Sequence, residues 1–194
     1  MRLAACERLT LQPVNAKWYR AISAEHWKTA LSTAHSPETR TRYSPGDAAA
    51  DPFEVIYLAE NQAVALYEVG AAYGPTDRPI ANPSRSKMLI IDVDVRLSSI
   101  VDLTIPRHHK SLGTSAQELT GDWRASYPRA DAPTQRLGSA LFATEEIEGF
   151  LAISAKMPHC KTLVIFPQKL REGSELVFSD AITGRTHRIT CPDA

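Results

Sequence analysis

The apolar residues of this chain fall into short runs, and most of these runs have the length and composition of β-strands. Residues 88–95 (MLIIDVDV) begin continuously apolar and then alternate, and residues 162–166 (TLVIF) stop at a proline. A three-residue turn that ends in Gly184 separates two further runs and predicts a hairpin. The strands predicted from these patterns are 55–59, 88–95, 150–154, 162–166, 175–179 and 185–190.

Helical periodicity is clearest directly after the first predicted strand. Ala63, Leu66, Tyr67 and Gly70 recur at positions i, i+3, i+4 and i+7, and Asn61 is a favourable N-cap, which together predict a helix over 61–72. A second helix is predicted over 135–147, before the strand at 150–154. The resulting order of elements indicates an α+β fold instead of the regular alternation of a doubly wound sheet.

The remaining segments predict loops within one domain. Residues 74–83 are rich in proline and glycine and predict a long loop, and residues 106–133 have weak periodicity and predict irregular structure. The chain has 194 residues and contains no repeat or linker, so we expect a single domain over 1–194.

Composition and charge narrow the class of protein. The 22 Lys and Arg residues balance the 22 Asp and Glu residues, which argues against direct nucleic-acid binding. No apolar run reaches the roughly 18 residues of a membrane helix, and the first residues lack the apolar core of a signal peptide. The three cysteines form no CxxC motif, so we expect a reduced, cytoplasmic protein without a disulfide framework.

The common nucleotide-binding, hydrolase and metalloprotease motifs do not occur in the chain. GxxxxGK[ST], GxGxxG, HExxH and GxSxG are all missing. His108 and His109 form a doublet, but no carboxylate or cysteine stands at ligand spacing from it, so no metal site is expected.

Glu68 is a carboxylate in an unusual place on the predicted helix. Its helical neighbours are all small and apolar: Val64, Ala65, Ala71 and Ala72. A carboxylate in such a position is costly unless a distant residue or a ligand binds it. The alternative is a solvated glutamate on an exposed helix face.

A basic segment precedes this helix. Residues 1–42 hold seven Lys and Arg residues and three Glu residues. Arg42 lies just before the turn-forming residues 44–47, where a guanidinium can bind a phosphate with two hydrogen bonds. The alternative is an ordinary surface arginine beside a turn.

Three motifs together resemble the RES domain family, which is named for its Arg, Glu and Ser. They are the turn at 42–46 (RYSPG), the strand at 55–60 (VIYLAE) and the helix at 65–69 (ALYEV). Weaker matches lie at Trp18-Tyr19-Arg20, at 133–138 (PTQRLG) and at 149–155 (GFLAISA), so that the resemblance is strongest over about 18–167. The chain departs from the usual pattern at Ile153, where proline is frequent, and in a longer segment at 47–54.

The resemblance implies a fold similar to that of ADP-ribosyltransferases, with mixed or antiparallel sheets and flanking helices. It further implies the toxin of a bacterial toxin–antitoxin pair that degrades NAD+ by cleaving its nicotinamide–ribose bond, with water or phosphate as acceptor. The implied partner is an Xre-type helix-turn-helix antitoxin, and the implied assembly is a homo-oligomer of this chain or a hetero-oligomer with the antitoxin. NAD+ is then a substrate, inorganic phosphate is a co-substrate in the phosphorylase case, and no resident cofactor is required.

Residue by residue, the resemblance places Arg42, Tyr57, Glu68 and Ser154 in the catalytic site. Glu68 stabilises positive charge on the ribose, Tyr57 stacks on nicotinamide, Arg42 binds the pyrophosphate, and Ser154 hydrogen-bonds the amide or the ribose. The residues expected to bind NAD+ beside them are Arg20, Tyr43 and Gln135.

Three other functions remain open at this point. A protein side chain as acceptor makes the chain an ADP-ribosyltransferase, although Leu66 stands where arginine-modifying enzymes often carry a second glutamate. An inactive RES-like protein that only binds its partner is the second alternative. The third is a toxin or effector that acts without an Xre partner.

Overall fold

Two long strands, β1 and β5, form the framework of the molecule. The computed structural model describes residues 1–126 and 130–192. Its strands are β1 Leu11–Ser23, β2 Ile56–Ala59, β3 Ala72–Tyr73, β4 Ile80–Ala81, β5 Met88–Asp102, β6 Gly149–Ile153, β7 Lys161–Ile165, β8 Glu175–Ser179 and β9 Thr186–Thr190. Its α-helices are α1 Gln62–Glu68, α2 Pro106–Leu112, α3 Ala116–Thr120 and α4 Pro133–Ala143. Short 3-10 helices fill many of the connections between these elements.

The main sheet closes on itself. Its strand order is β1-β2-β7-β6-β5-β8-β9, and β1 also pairs with β5 along almost its whole length. The ring β1-β2-β7-β6-β5 therefore has no free edge, and β8 and β9 extend from β5 as a hairpin. The β5–β6 pair is parallel and the other pairs are antiparallel, so the sheet is mixed, as the predicted α+β class with flanking helices requires.

A β-bulge in β5 explains how the two long strands stay paired. Val14 faces Leu97 and Gln12 faces Ile100, so the single residue Pro13 lies opposite two residues of β5, Ser98 and Ser99. Proline has no backbone N–H to donate to the ladder, which makes it compatible with this irregular position.

Two apolar clusters cover the two faces of the sheet. One joins β6 and β7 to α2, α3 and α4 through side chains such as Phe150, Leu119 and Leu137. The other lies between the long strands and the β8–β9 hairpin and includes Trp18 and Phe178. The cavity described below opens between β1, β2 and α1, beside a third, smaller apolar cluster that includes Ala21, Ala59 and Ala65.

The six predicted strands are present with shifts of about one residue at most of their ends, and β5 continues to Asp102. The predicted hairpin is confirmed, because β8 and β9 pair antiparallel. The predicted loop at 74–83 contains the two-residue strand β4, Ile80–Ala81, which pairs antiparallel with β3. No helix within the described ranges is long and apolar enough to cross a bilayer.

Three predictions of secondary structure were wrong in extent. The helix predicted over 61–72 ends at Glu68, because Gly70 adopts a left-handed backbone conformation with φ of 69°. The helix predicted over 135–147 is α4, which begins two residues earlier at Pro133 and ends four residues earlier at Ala143. The segment 106–133 was predicted to be irregular but contains α2, α3 and a 3-10 helix at Trp123–Ser126; its residues 127–129 lie outside the described residues.

Candidate active site

Glu68 is the last residue of α1, and the helix is defined at both ends. The Asn61 side chain accepts a hydrogen bond from the backbone N–H of Val64 at 3.0 Å, which caps the first turn. Gly70 ends the helix two residues after Glu68. The predicted neighbours Ala71 and Ala72 are therefore not on the helix. A carboxylate at a helix C-terminus faces the negative end of the helix dipole, which costs stability.

Ser154 connects β6 to Glu68. Its Oγ donates a hydrogen bond to Glu68 Oε1 at 2.5 Å and accepts bonds from the backbone N–H groups of Lys156 and Met157 at 3.3 and 3.0 Å. Because the two amides occupy the acceptor side of the hydroxyl, its proton is directed at the carboxylate. Ser154 is completely buried, whereas Glu68 is exposed, so the serine holds the carboxylate from the protein side.

Tyr57 projects from β2 into the same region. Its hydroxyl bonds to Thr41 Oγ1 at 2.7 Å and accepts from the backbone N–H of Tyr43 at 3.2 Å. Burial raises the pKa of Tyr57 to about 12, so the phenol is neutral at physiological pH. These contacts hold the ring in one orientation and tie it to the turn that carries Arg42.

Five of the predicted residues line one cavity of about 260 Å³: Arg20, Arg42, Tyr43, Tyr57 and Glu68. Ser154 does not line the cavity, but it contacts Glu68 through a hydrogen bond. The rest of the wall includes small and apolar side chains: Ala21, Ala59, Ala65, Val69, Ile153 and Ala155. The structure thus brings one carboxylate, two guanidinium groups and several tyrosine rings around one space with largely apolar walls.

Arg20 is a half-buried cation. It projects from β1, and its Nη1 donates to the carbonyl oxygen of Ala30 at 2.9 Å. Burial lowers the pKa of Arg20 to about 10, and the side chain still carries its charge at neutral pH. Within the described part of the chain it forms no ion pair. A half-buried guanidinium without an ion pair favours an anionic ligand.

Arg42 is held by the end of a helix. Its Nη1 donates to the carbonyl oxygens of Leu119 and Gly121 at 3.1 and 2.8 Å. Carbonyl groups at the C-terminus of α3 carry partial negative charge and stabilise the guanidinium. Arg42 therefore joins the turn after residue 41 to α3 while it lines the cavity.

Gln135 and Tyr43 build the wall behind this turn. Gln135 is buried and does not line the cavity: its Nε2 donates to the carbonyls of Thr41 and Ser44, and its Oε1 accepts from Arg40 and from the N–H of Ala132. Because its amide is hydrogen-bonded to protein groups, Gln135 stabilises the turn from Thr41 to Ser44 instead of facing a ligand.

Tyr43 packs its ring edge-to-face on Phe150 at 4.9 Å, and burial raises its pKa. Helix α4 approaches its backbone at Gly138, where a Cβ atom would lie 1.8 Å from the Tyr43 carbonyl oxygen. Only glycine permits this approach. Helix α4 therefore fixes the turn from Thr41 to Ser44 on the cavity wall.

Two residues at this site were not predicted from the sequence. Thr41 fixes the Tyr57 hydroxyl, and Arg124 borders the adjoining grooves beside Glu68. Thr41 lies beside Arg42 in sequence but carries no motif, and Arg124 lies in a segment whose helical turns the pattern did not predict. Neither residue had a signal apart from its place in the fold.

The histidine doublet lies away from the cavity. His108 donates from Nδ1 to the carbonyl oxygen of Asp102 at 2.7 Å, and His109 Nε2 donates to that of Leu103. Both rings thus cap the end of β5 from α2. Among residues 1–126 and 130–192, no group of three or more His, Cys, Asp or Glu side chains is arranged to hold a metal ion.

Comparisons with known proteins bear on the family and on the fold. The family model described as the RES domain matches residues 17–185. The fold is similar to a chain in a structure described as the crystal structure of the M. tuberculosis MbcT–MbcA toxin–antitoxin complex, with a TM-score of 0.63. The two chains are 16% identical, and the match covers 97% of this chain and 91% of the other. No curated protein sequence matches the chain.

Proposed function

The chain belongs to the RES domain family, and from this membership and the site geometry we propose that it is a toxin enzyme that degrades NAD+. The reaction is cleavage of the bond between nicotinamide and ribose. The observation that carries the proposal is the Glu68 carboxylate at the cavity, with one oxygen bound by Ser154 and the other free of protein donors in the described part of the chain.

The chemistry fits one carboxylate. When the C1′–N bond breaks, its electron pair goes to the nicotinamide nitrogen, and nicotinamide leaves as a neutral molecule. Positive charge then develops on the ribose, and a fixed carboxylate nearby stabilises that transition state. The free oxygen of Glu68 accepts a hydrogen bond from a ribose hydroxyl and so orients C1′.

The other cavity residues have complementary roles in this proposal. The Tyr57 ring offers a flat surface on which nicotinamide stacks. Arg20 and Arg42 make the electrostatic potential at the cavity more positive, which attracts the phosphates next to the ribose. Ser154 acts on Glu68, because its hydroxyl is already committed to that carboxylate at 2.5 Å.

The second product depends on the acceptor that attacks C1′. Water yields ADP-ribose and a proton, and inorganic phosphate yields ADP-ribose with a phosphate on C1′. A protein side chain makes the enzyme an ADP-ribosyltransferase, which is the alternative function on the same residues. We favour NAD+ degradation, because Leu66 is half-buried where a second acidic residue would serve an arginine acceptor.

A toxin of this kind needs a partner that restrains it. The similar fold comes from a toxin–antitoxin complex, and we propose that this chain also binds an antitoxin, of the Xre-type helix-turn-helix class. Its place of action is the cytoplasm, where its substrate NAD+ is abundant.

The decisive experiment incubates purified protein with NAD+, with and without inorganic phosphate, and separates the products. We expect nicotinamide release by the wild type and its loss in Glu68→Ala. Dependence on phosphate identifies the acceptor. Transfer of labelled ADP-ribose to protein, with little free ADP-ribose, would instead establish the transferase. No release and no transfer would overturn the enzymatic proposal.

A further inference from the structure

A large groove adjoins the cavity and carries more cationic than anionic side chains. Its volume is about 1180 Å³, and Arg20, Glu68 and Val69 line both the cavity and the groove. The two spaces are therefore continuous at the proposed catalytic carboxylate. The groove runs between β1, the 3-10 helices at Ala24–Thr29 and Pro83–Arg85, and the segment that carries Arg124.

The charge of this groove is unbalanced. Four Lys or Arg side chains border it, Arg20, Arg85, Lys87 and Arg124, against two carboxylates, Glu25 and Glu68. None of the four cations forms an ion pair with any residue of the described ranges. Arg124 instead stacks its guanidinium 4.7 Å from the centre of the Trp123 ring. Unpaired cations around a groove attract an anionic ligand.

The cavity is too small to hold the whole substrate. A cavity of about 260 Å³ is below the roughly 300–1,000 Å³ of typical small-molecule sites, so a whole dinucleotide extends beyond it. We propose that the adenosine diphosphate half lies in the cationic groove, with its phosphates bound by Arg85, Lys87 and Arg124. This assignment rests on the proposed function, because that function places the nicotinamide end at Glu68.

A second groove is the competing location. It also borders Glu68 and includes Arg40, Arg42 and Lys156, and it shares Arg124 with the cationic groove. Arg40 forms an ion pair with Asp131 at 2.8 Å, and Arg42 is bound by two carbonyl oxygens. Two of the three cations that belong to this groove alone are therefore bound by protein groups, which favours the cationic groove for the diphosphate.

Calorimetry with ADP tests the assignment without relying on turnover. The double variant Arg85→Ala/Lys87→Ala removes charge from the cationic groove alone, and Arg124→Ala removes charge that borders both grooves. We expect each to weaken ADP binding by about tenfold or more, since charge-assisted bonds to phosphate are lost. Arg185→Ala, the same change in the β8–β9 turn, is the matched control and keeps wild-type affinity. Unchanged ADP affinity in the double variant, or a loss confined to Arg124→Ala and Lys156→Ala, would overturn the proposal.

Kinetics with two substrates separate charge recognition from structural damage. For NAD+ we expect KM to rise about tenfold in the double variant with little change in kcat. For nicotinamide riboside, which has no phosphate, we expect an effect at least about fivefold smaller. An equal loss on both substrates would contradict the assignment. If the wild type releases no nicotinamide, the proposed function fails, while the ADP affinities still decide whether the groove binds a nucleoside diphosphate.

Discussion

Glu148 and Glu68 are two carboxylates in contrasting environments. Glu148 is completely buried, and its Oε2 accepts bonds from the N–H and Oγ of Ser98 and from the N–H of Ser99, at 2.8, 2.9 and 2.7 Å. Its Oε1 accepts from the N–H of Arg171 at 2.8 Å. Glu68 is exposed and, among the described residues, accepts one hydrogen bond, from Ser154.

The difference separates a structural role from a chemical one. Glu148 binds the two amides of the β5 bulge opposite Pro13 and thus replaces hydrogen bonds that the ladder loses there. Its acceptor positions are filled by protein. Glu68 lies at the unfavourable end of a helix and keeps an oxygen free at a cavity. A carboxylate that costs stability and retains free acceptor positions is suited to bind a ligand.

Glu148→Ala has the largest expected effect on stability. The change leaves several buried donors without a partner, each worth about 1–3 kcal/mol, and we expect a total loss of roughly 3–5 kcal/mol in the free energy of unfolding. Urea unfolding followed by circular dichroism measures it. The exposed neighbour in Glu146→Ala serves as the control. A loss below about 1 kcal/mol for Glu148→Ala would show that the bulge does not depend on this carboxylate.

Glu68→Gln is expected to reduce activity strongly and to leave stability nearly unchanged, in contrast to Glu148→Ala. We expect nicotinamide release to fall about 100- to 1,000-fold, because the charge that stabilises the transition state is removed. The free energy of unfolding should stay equal or rise by a few tenths of a kcal/mol, since the negative charge at the helix C-terminus disappears. Product separation and urea unfolding measure the two quantities. The exposed Glu172→Gln is the control. Substantial activity in Glu68→Gln would contradict the chemical role that distinguishes Glu68 from Glu148.

Ser154→Ala tests the link between Glu68 and the sheet. Loss of the 2.5 Å hydrogen bond leaves the carboxylate less well oriented, and we expect nicotinamide release to fall about tenfold. Stability should fall by about 1–2 kcal/mol, because the amides of Lys156 and Met157 lose their acceptor. Ser179→Ala, an exposed serine at the end of β8, is the matched control. Full activity in Ser154→Ala would argue that Glu68 is oriented by the helix alone.

Asn61→Ala has the smallest expected effect. It removes the cap of the helix that carries Glu68 and should cost about 1 kcal/mol of stability. Asn61→Asp keeps the capping oxygen and should restore most of this loss. Thermal unfolding compares the two variants. Equal destabilisation by both would indicate that the cap is not what stabilises the start of α1.

Some elements were predictable because their signal is local. The runs that form β2, β7 and β8 are short and apolar, and the helix start at Asn61 follows directly from a cap and a period of about 3.6 residues. The end of α1 was predicted four residues too late. Gly70 fits the helical period of apolar residues, but its left-handed backbone conformation ends the helix. The strand β1 was not predicted from the hydrophobic pattern. Much of its N-terminal half is exposed, so apolar and polar residues alternate only weakly there.

The sequence by itself determined the α+β class and the family resemblance, and it identified Arg20, Arg42, Tyr57 and Glu68 as candidate site residues. Strand propensity and motif spacing are local properties of the chain, which is why they can be read without the structure. Only the tertiary structure brought these residues from β1, β2, α1 and the turn at Tyr43 to one cavity, and joined Ser154 to Glu68 across 86 residues. It also showed Gln135 supporting the turn instead of lining the cavity. The physical reason is that contacts between distant segments depend on strand order, on the closure of the sheet and on the packing of α4, and no local pattern encodes these.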